Sequence, residues 1–136
     1  MDASLEYTLY CDGASRGNPG RAAIGFVLVD AAGEECLAHG EVLGDRITNN
    51  VAEYTALLRG LEAAAAAGVR RLLVRLDSEL AVRQLRGEYK VRNPGLRSLF
   101  TAAQELRARF EVCRIEHVRR EENQRADALA NAALDA

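Results

Sequence analysis

The first third of the chain alternates between apolar and polar residues. In segment 5–12 apolar side chains occupy every second position, beginning with Leu5 and Tyr7, and this period of two predicts a strand with one buried face. The glycine-rich segment 13–20 contains a Pro-Gly turn signal and is expected to be a connection. Segments 22–29 and 36–43 predict two further strands, and the short links predict an antiparallel meander.

The rest of the chain has the longer period of helices, interrupted by two apolar runs typical of strands. The first helix begins near Asn49 or Asn50, with Asn50 as the expected N-cap and Glu53 in a capping-box position, and Gly68 ends it. The later elements are expected to be a strand at 71–77, a short helix from Ser78 to Gly87, a helix at 96–109, a strand at 110–118 and a final helix capped by Asn123. This order, βββαβααβα, predicts one α/β domain over residues 1–136, with a five-stranded mixed sheet flanked by helices.

Four acidic residues occur where this topology would gather them. Asp12 and Asp77 end the first and fourth strands, and parallel neighbours about 4.8 Å apart would present both carboxylates at one edge. Glu53 and Asp127 lie on the apolar stripes of two helices. Each acid alone is explained by capping, the helix dipole or turn formation. Together they predict hard oxygen ligands for Mg²⁺ or Mn²⁺, and two such ions about 4 Å apart are suited to phosphodiester hydrolysis.

Composition narrows the possible functions further. The 136 residues are 49% hydrophobic and 28% charged, with a net charge of −2, which argues against gripping nucleic acid through bulk positive charge. Between residues 83 and 97, however, five basic residues are opposed by one acidic residue. The basic residues are Arg83, Arg86, Lys90, Arg92 and Arg97. This segment is either a solvated helix face or, beside an acidic metal site, a phosphate contact.

Cysteine and histidine form no recognisable site. Cys11, Cys36 and Cys113 are odd in number and widely spaced, so they favour buried thiols over a disulfide framework or a metal clip. His39 and His117 are too far apart to support a zinc site. No apolar run approaches the roughly 20 residues of a membrane span, and residues 1–4 lack a basic segment before an apolar stretch. We therefore expect a cytoplasmic location.

Four segments resemble type 1 ribonuclease H, and the likeness covers nearly the whole chain. They are YCDGASRGNPG at 10–20, TNNVAE at 48–53, DS at 77–78 and NQRAD at 123–127, and their order and spacing make the resemblance specific. It implies a ribonuclease H-like fold and an endonuclease that cuts the RNA strand of RNA–DNA hybrids, leaving 5′-phosphate and 3′-hydroxyl ends. It also implies a catalytic quartet holding two Mg²⁺ or Mn²⁺ ions. In that quartet Asp12 bridges both ions, Asp127 completes the water-activating one, and Glu53 and Asp77 hold the other.

The same resemblance implies which residues contact the substrate. The RNA strand would be recognised by its 2′-hydroxyls in a shallow minor groove, and Glu53 would read one beside the scissile phosphate. The other matching positions are Gly13, Ala14, Ser15, Asn18, Asn49 and Asn50, while Thr48 matches a residue that contacts a DNA-strand phosphate. We expect a monomer that binds RNA–DNA hybrid, and double-stranded RNA stays open as a further partner.

The segment before the last helix departs from the family pattern. Many members have a loop histidine there, whereas His117 is expected to lie in the preceding strand. Arg119, Arg120 or Glu121 would assist in its place. This shorter segment resembles an archaeal and bacterial subgroup, some of whose members also attack double-stranded RNA.

A second departure concerns the grip on the DNA strand. Segment 87–94 replaces the longer basic helix and loop of many relatives. Lys90, Arg92 and Arg97 would substitute for it in part, so we expect weaker substrate grip without loss of the chemistry.

Three other interpretations stay open at this stage. The protein could be a relative acting mainly on double-stranded RNA, a non-catalytic hybrid-binding module, or a globular protein whose acids are caps and turn formers.

Overall fold

The computed structural model describes residues 4–136, so the expectation about a leader at residues 1–4 falls largely outside the described residues. The strands are β1 Glu6–Gly17, β2 Gly20–Val29, β3 Glu35–Ile47, β4 Arg71–Leu76 and β5 Val112–His117. The helices are α1 Asn49–Ala66, α2 Glu79–Leu85, α3 Pro94–Arg107 and α4 Gln124–Asp135, and a 3₁₀ turn at Arg120–Glu122 precedes α4.

The strands form a mixed sheet in the order β3-β2-β1-β4-β5. β1 pairs antiparallel with β2, and β2 with β3, because short connections reverse the chain. β4 lies parallel to β1, and β5 parallel to β4, because helices connect them. The predicted five-stranded α/β architecture, antiparallel first and parallel afterwards, is confirmed.

The first hairpin is longer than the sequence pattern predicts. β1 continues through the glycine-rich segment to Gly17, which pairs with Gly20 across a two-residue turn. The expectation of a connection over 13–20 is therefore wrong, because ladder hydrogen bonds from β2 satisfy this backbone whatever side chains it carries. β3 likewise extends beyond segment 36–43 to Ile47 as it follows β2, with register irregularities near Ala22.

The start of α1 also differs from the prediction. Thr48, not Asn50, is the N-cap, and its Oγ1 accepts a hydrogen bond from the Val51 amide at 3.2 Å. Glu53 therefore lies in the second turn and takes no part in a capping box. Gly68, with φ of +84°, follows the end of the helix, as predicted.

Helices cover both faces of the sheet. On one face α1 and α3 enclose the larger core, in which Leu9, Leu57 and Leu72 are at most 1% exposed. On the other face α4 packs against β2 so closely that a Cβ on Gly25 would lie 2.1 Å from the Ala126 carbonyl oxygen, an approach that only glycine permits. The sheet edge where β4 ends beside β1 lies between these two helical layers, and both layers contribute side chains to it.

Two findings concern the expectations about a membrane span and about the cysteines. Within residues 4–136, no helix is both long and apolar enough to cross a membrane. Cys11, Cys36 and Cys113 are free thiols. Cys11 is buried, as predicted, but the expectation of burial is wrong for Cys36 and Cys113, which are partly exposed.

Candidate functional site

Three carboxylates converge at the sheet edge where β4 ends beside β1. Asp77 directly follows β4, and Asp12 lies in β1 one residue beyond its last pairing with β4, Cys11 with Leu76. Glu53 comes from the second turn of α1. One carboxylate oxygen from each of these three acids lies within 4.8 Å of the others. This carboxylate trio of Asp12, Glu53 and Asp77 is a candidate divalent-cation site, since hard cations prefer clustered carboxylate oxygens.

The backbone of β1 anchors Glu53. The Gly13 amide donates a hydrogen bond to Glu53 Oε1 at 3.0 Å. A Cβ on Gly13 would lie 2.2 Å from the Ala52 carbonyl carbon, so a glycine is required for α1 to approach β1 this closely. Glu53 Oε2 is buried without a hydrogen-bond partner among the described residues. Such an acceptor is costly, and a bound cation would satisfy it.

The carboxylate trio concentrates negative charge away from solvent. Asp12 is 6% exposed, and burial, together with the neighbouring Glu53 and Asp77 carboxylates, raises the pKa of Asp12 to about 10. Burial raises the pKa of Glu53 to about 7, although the adjacent Asp12 carboxyl group and the hydrogen bond from Gly13 oppose the rise. Like charges this close do not all ionise unless a cation compensates them, so a divalent ion would displace protons as it binds.

Asn123 links the carboxylate trio to α4. Its side chain is 1% exposed, and Nδ2 donates to the Cys11 carbonyl oxygen at 2.9 Å and to Asp77 Oδ2 at 3.0 Å. Asn123 occupies the N-cap position of α4, as predicted, but its side chain makes no capping hydrogen bond. The amide instead bonds two acceptors where the β1–β4 pairing ends, and so satisfies buried polar groups there.

Asp127 lies on the same cleft but outside the carboxylate trio. The Asp127 carboxyl group lies close enough to Asp12 to contribute to the raised pKa of Asp12. Asn131 Nδ2, one helical turn later, lies 3.2 Å from Asp127 Oδ1. Sequence reasoning missed Asn131 and Ser78, both of which line the cleft. The four-residue spacing from Asp127 was the available signal for Asn131.

The cleft in front of the carboxylate trio has a volume of about 460 Å³. Five residues expected to contact substrate line it: Gly13, Ala14, Ser15, Asn49 and Asn50. Asn18 and Thr48 do not line it. Asn18 Oδ1 accepts from the Asn49 amide at 3.1 Å, while Thr48 caps α1. Both side chains therefore position the Asn49–Asn50 pair at the cleft wall.

Known proteins match this chain in sequence and in fold. Residues 10–133 match the family model described as reverse transcriptase-like. A curated ribonuclease HI of Halobacterium salinarum is 50% identical over 93% of this chain. The crystal structure of RNase H1 from the halophilic archaeon Halobacterium salinarum has a TM-score of 0.93 at 48% identity, covering 96% of this chain and 98% of that one. This chain belongs to the type 1 ribonuclease H family.

A further member of the ribonuclease H family was solved with nucleic acid. LC11-RNase H1, crystallised in complex with an RNA/DNA hybrid, has a TM-score of 0.90 at 41% identity and covers 95% of this chain and 96% of its own. The present chain spans 63% of the length of the curated Halobacterium ribonuclease HI. It spans 36% of the length of a 42%-identical bifunctional protein of Mycobacterium tuberculosis.

In this ribonuclease H fold, the three residues expected to replace a loop histidine differ in whether they line the cleft. Arg120 lines the cleft, and its positive charge acts to lower the pKa of Glu53 against the effect of burial. Arg119 and Glu121 are exposed and do not line the cleft. His117 is the last residue of β5, as predicted. The structure therefore favours Arg120 over its two neighbours as the residue nearest the carboxylates.

The basic segment forms a separate surface of the ribonuclease H domain. Residues 86–93 connect α2 to α3 without a further helix. Lys90, Arg92 and Arg97 line a second cavity of about 480 Å³ together with Tyr89. The Arg83 guanidinium lies 5.3 Å from the centre of the Tyr89 ring, which steadies this short connection.

Proposed function

We propose that this protein is an endoribonuclease that hydrolyses the RNA strand of RNA–DNA hybrids, leaving 5′-phosphate and 3′-hydroxyl ends. The observation that carries the proposal is the carboxylate trio, three acids within 4.8 Å at the mouth of a cleft. The hybrid-bound LC11-RNase H1, which is 41% identical over 95% of this chain, supports the choice of substrate.

Two Mg²⁺ or Mn²⁺ ions would be held by Asp12, Glu53, Asp77 and Asp127. Carboxylate oxygens suit both cations, and the partnerless Glu53 Oε2 fits a metal ligand. When bound, the ions supply an activated water and stabilise the leaving oxygen. The protein supplies preorganisation, because Gly13 and Asn123 already hold Glu53 and Asp77 through hydrogen bonds of 3.0 Å.

The cleft wall would recognise the RNA strand. A 2′-hydroxyl is both a donor and an acceptor, and side-chain amides offer both complementary groups. The proposed contacts are Gly13, Ala14, Ser15, Asn49 and Asn50, all of which line the cleft. Asn18 would act through the Asn49 amide that it holds. Thr48, exposed at the start of α1, would meet a phosphate of the DNA strand.

Basic side chains would complete the substrate contacts. Arg120 lines the cleft and would assist near the reacting phosphate, a role for which Arg119 and Glu121 are less well placed. Lys90 and Arg92 would contact phosphates further along the duplex. Because the net charge of the chain is −2, these basic side chains would supply the electrostatic attraction to the phosphates.

An Asp12→Asn variant tests the proposal directly. The substitution removes one carboxylate while keeping its shape, so we expect a folded protein that no longer cleaves a labelled RNA–DNA hybrid in Mg²⁺ or Mn²⁺. The matched control is Asp45→Asn, at an exposed position on β3, which should cleave at the wild-type rate. Undiminished cleavage by Asp12→Asn would exclude the proposed site.

A substrate panel separates this function from its alternatives. Matched RNA–DNA hybrid, RNA duplex and DNA duplex should be incubated with protein across a titration of Mg²⁺ and Mn²⁺. Hybrid cleavage is the expected result, and additional RNA-duplex cleavage would add double-stranded RNA as a partner. Cleavage of RNA duplex alone, or binding without cleavage at every metal concentration, would overturn the proposal.

The proposal also includes a single domain over residues 1–136 acting as a cytoplasmic monomer. Strands from both ends of the chain share the sheet, which supports one folding unit. Light scattering coupled to size-exclusion chromatography should give a molar mass near the 14.8 kDa of the chain; a doubled mass would contradict the monomer.

A further inference from the structure

The side chain of Asn131, which is half-buried on α4, forms hydrogen bonds on both sides of its amide group. It lies one turn after Asp127 in α4, and its Nδ2 is 3.2 Å from Asp127 Oδ1 and 3.0 Å from the Asp127 carbonyl oxygen. Its Oδ1 accepts from Arg16 Nη2 at 3.5 Å. Arg16 in turn pairs with Asp135 at 2.6 Å. The Asn131 amide is therefore oriented from both ends, by the helix and by the first hairpin.

Each of the other acids at the cleft has its own restraint. Gly13 holds Glu53 and Asn123 holds Asp77 through hydrogen bonds of 3.0 Å, and Asp12 is buried in the sheet. Asp127 lies on a half-exposed helix surface, where an aspartate side chain has free rotamers unless a neighbour restricts them. Asn131 supplies the corresponding donor.

We propose that Asn131 is a positioning residue that holds the Asp127 carboxylate toward Asp12, ready to bind a divalent cation. The inference rests on the proposed function, in which Asp127 is a metal ligand. The amide engages Oδ1 and leaves Oδ2 for the cation. Because the amide is neutral, it fixes the carboxylate without cancelling the charge that attracts the ion, whereas a lysine or arginine there would compete with it.

The contacts of Arg16 also keep its positive charge from pairing with Asp127. Its guanidinium contacts Asn131 and is neutralised by Asp135, so it orients the amide without itself pairing with Asp127 in the described structure. A hydrogen bond to a metal-ligating carboxylate is typically worth about tenfold to a hundredfold in metal affinity or activity. We expect an effect of at least tenfold for Asn131.

Two substitutions separate positioning from helix stability. Asn131→Leu removes both hydrogen bonds to Asp127. Asn131→Ser keeps a hydroxyl that can bond the carbonyl oxygen four residues earlier, but is too short to steady the carboxylate. Ala132→Ser, at the exposed neighbouring position, is the matched control. Mn²⁺ affinity should be measured by calorimetry, alongside kcat and KM for a hybrid and the melting temperature in EDTA.

The expected result is about tenfold weaker Mn²⁺ binding and about tenfold lower kcat in both Asn131 variants, with KM unchanged and the control at wild-type values. Wild-type Mn²⁺ affinity in Asn131→Ser would overturn the inference, and so would a lowered melting temperature with unchanged Mn²⁺ affinity. Should Asn131→Leu fail to fold, the serine variant decides the matter. If the wild-type protein binds Mn²⁺ but cleaves no hybrid, the proposed function fails, and the comparison of affinities still tests Asn131.

Discussion

The Gly13 amide donates a 3.0 Å hydrogen bond to Glu53 Oε1, joining positions 40 residues apart in the sequence. The contact depends on the missing side chain of Gly13, because a Cβ there would meet the backbone of α1 at 2.2 Å. One glycine thus sets both the distance between β1 and α1 and the direction of a carboxylate in the trio.

A Gly13→Ala substitution should therefore damage fold and site together. The added methyl group forces α1 away from β1, and we expect this overpacking to lower the unfolding free energy by about 1–3 kcal/mol. We also expect the substitution to abolish hybrid cleavage, because it displaces Glu53. Urea unfolding and a cleavage assay measure the two effects. Gly95→Ala is the control, since its nearest neighbour would be the Asn93 Oδ1 atom at 3.2 Å, the end of a side chain. Equal stability of the two variants would contradict the argument.

The metal-free protein should become less stable as pH rises. The pKa values of Asp12 and Glu53 are raised from 3.8 to about 10 and from 4.5 to about 7. Between the ordinary and the raised pKa of each group, the folded state binds more protons than the unfolded state. The free energy of unfolding therefore falls as pH rises above about 4, up to about pH 7 for the Glu53 contribution and up to about pH 10 for that of Asp12. Mg²⁺ should oppose the loss by replacing the protons.

Melting temperatures from pH 5 to pH 9, in EDTA and in Mg²⁺, check this dependence. Asp12→Asn removes one of the two titrating groups, so its stability relative to wild type in EDTA should increase as pH rises. A wild-type protein that gains stability over this range relative to the variant would refute the assignment of the raised pKa.

Arg120→Ala should slow hybrid cleavage by about tenfold, which corresponds to about 1.4 kcal/mol in the barrier. The expectation follows from its position on the cleft and from its charge, which acts to lower the pKa of Glu53. Arg119→Ala, at the exposed neighbouring position, should retain the wild-type rate. Single-turnover rates for the two variants make the comparison, and equal losses would indicate a non-specific effect of charge.

Replacing both Lys90 and Arg92 by alanine should weaken binding without changing kcat. Each lost phosphate contact should reduce the slope of log affinity against log salt by about 0.9. Fluorescence anisotropy with a labelled hybrid, on the Asp12→Asn background to prevent cleavage, gives this slope in a KCl series. The control pair, Arg70→Ala with Arg109→Ala, removes the same charge from exposed positions outside the second cavity. An identical slope change in both pairs would exclude a specific contact.

The sequence by itself determined the topology and the chemistry of the site. Alternation of apolar residues indicates which face of a strand is buried, and helical connections dictate parallel pairing, so Asp12 and Asp77 could be placed at one edge before any coordinates. The apolar stripes of two helices likewise indicated that Glu53 and Asp127 turn inward. These features follow from local periodicity, which a sequence displays directly.

Only the tertiary structure decided how the acids are held. The choice of Thr48 over Asn50 as the cap of α1 could not be predicted, because threonine and asparagine are both good caps and packing selects between them. The local sequence predicts that Asn123 caps a helix, yet its side-chain amide donates to the carbonyl oxygen of Cys11, 112 residues away. Hydrogen bonds of this kind depend on where whole elements come to rest, and no local pattern encodes that distance.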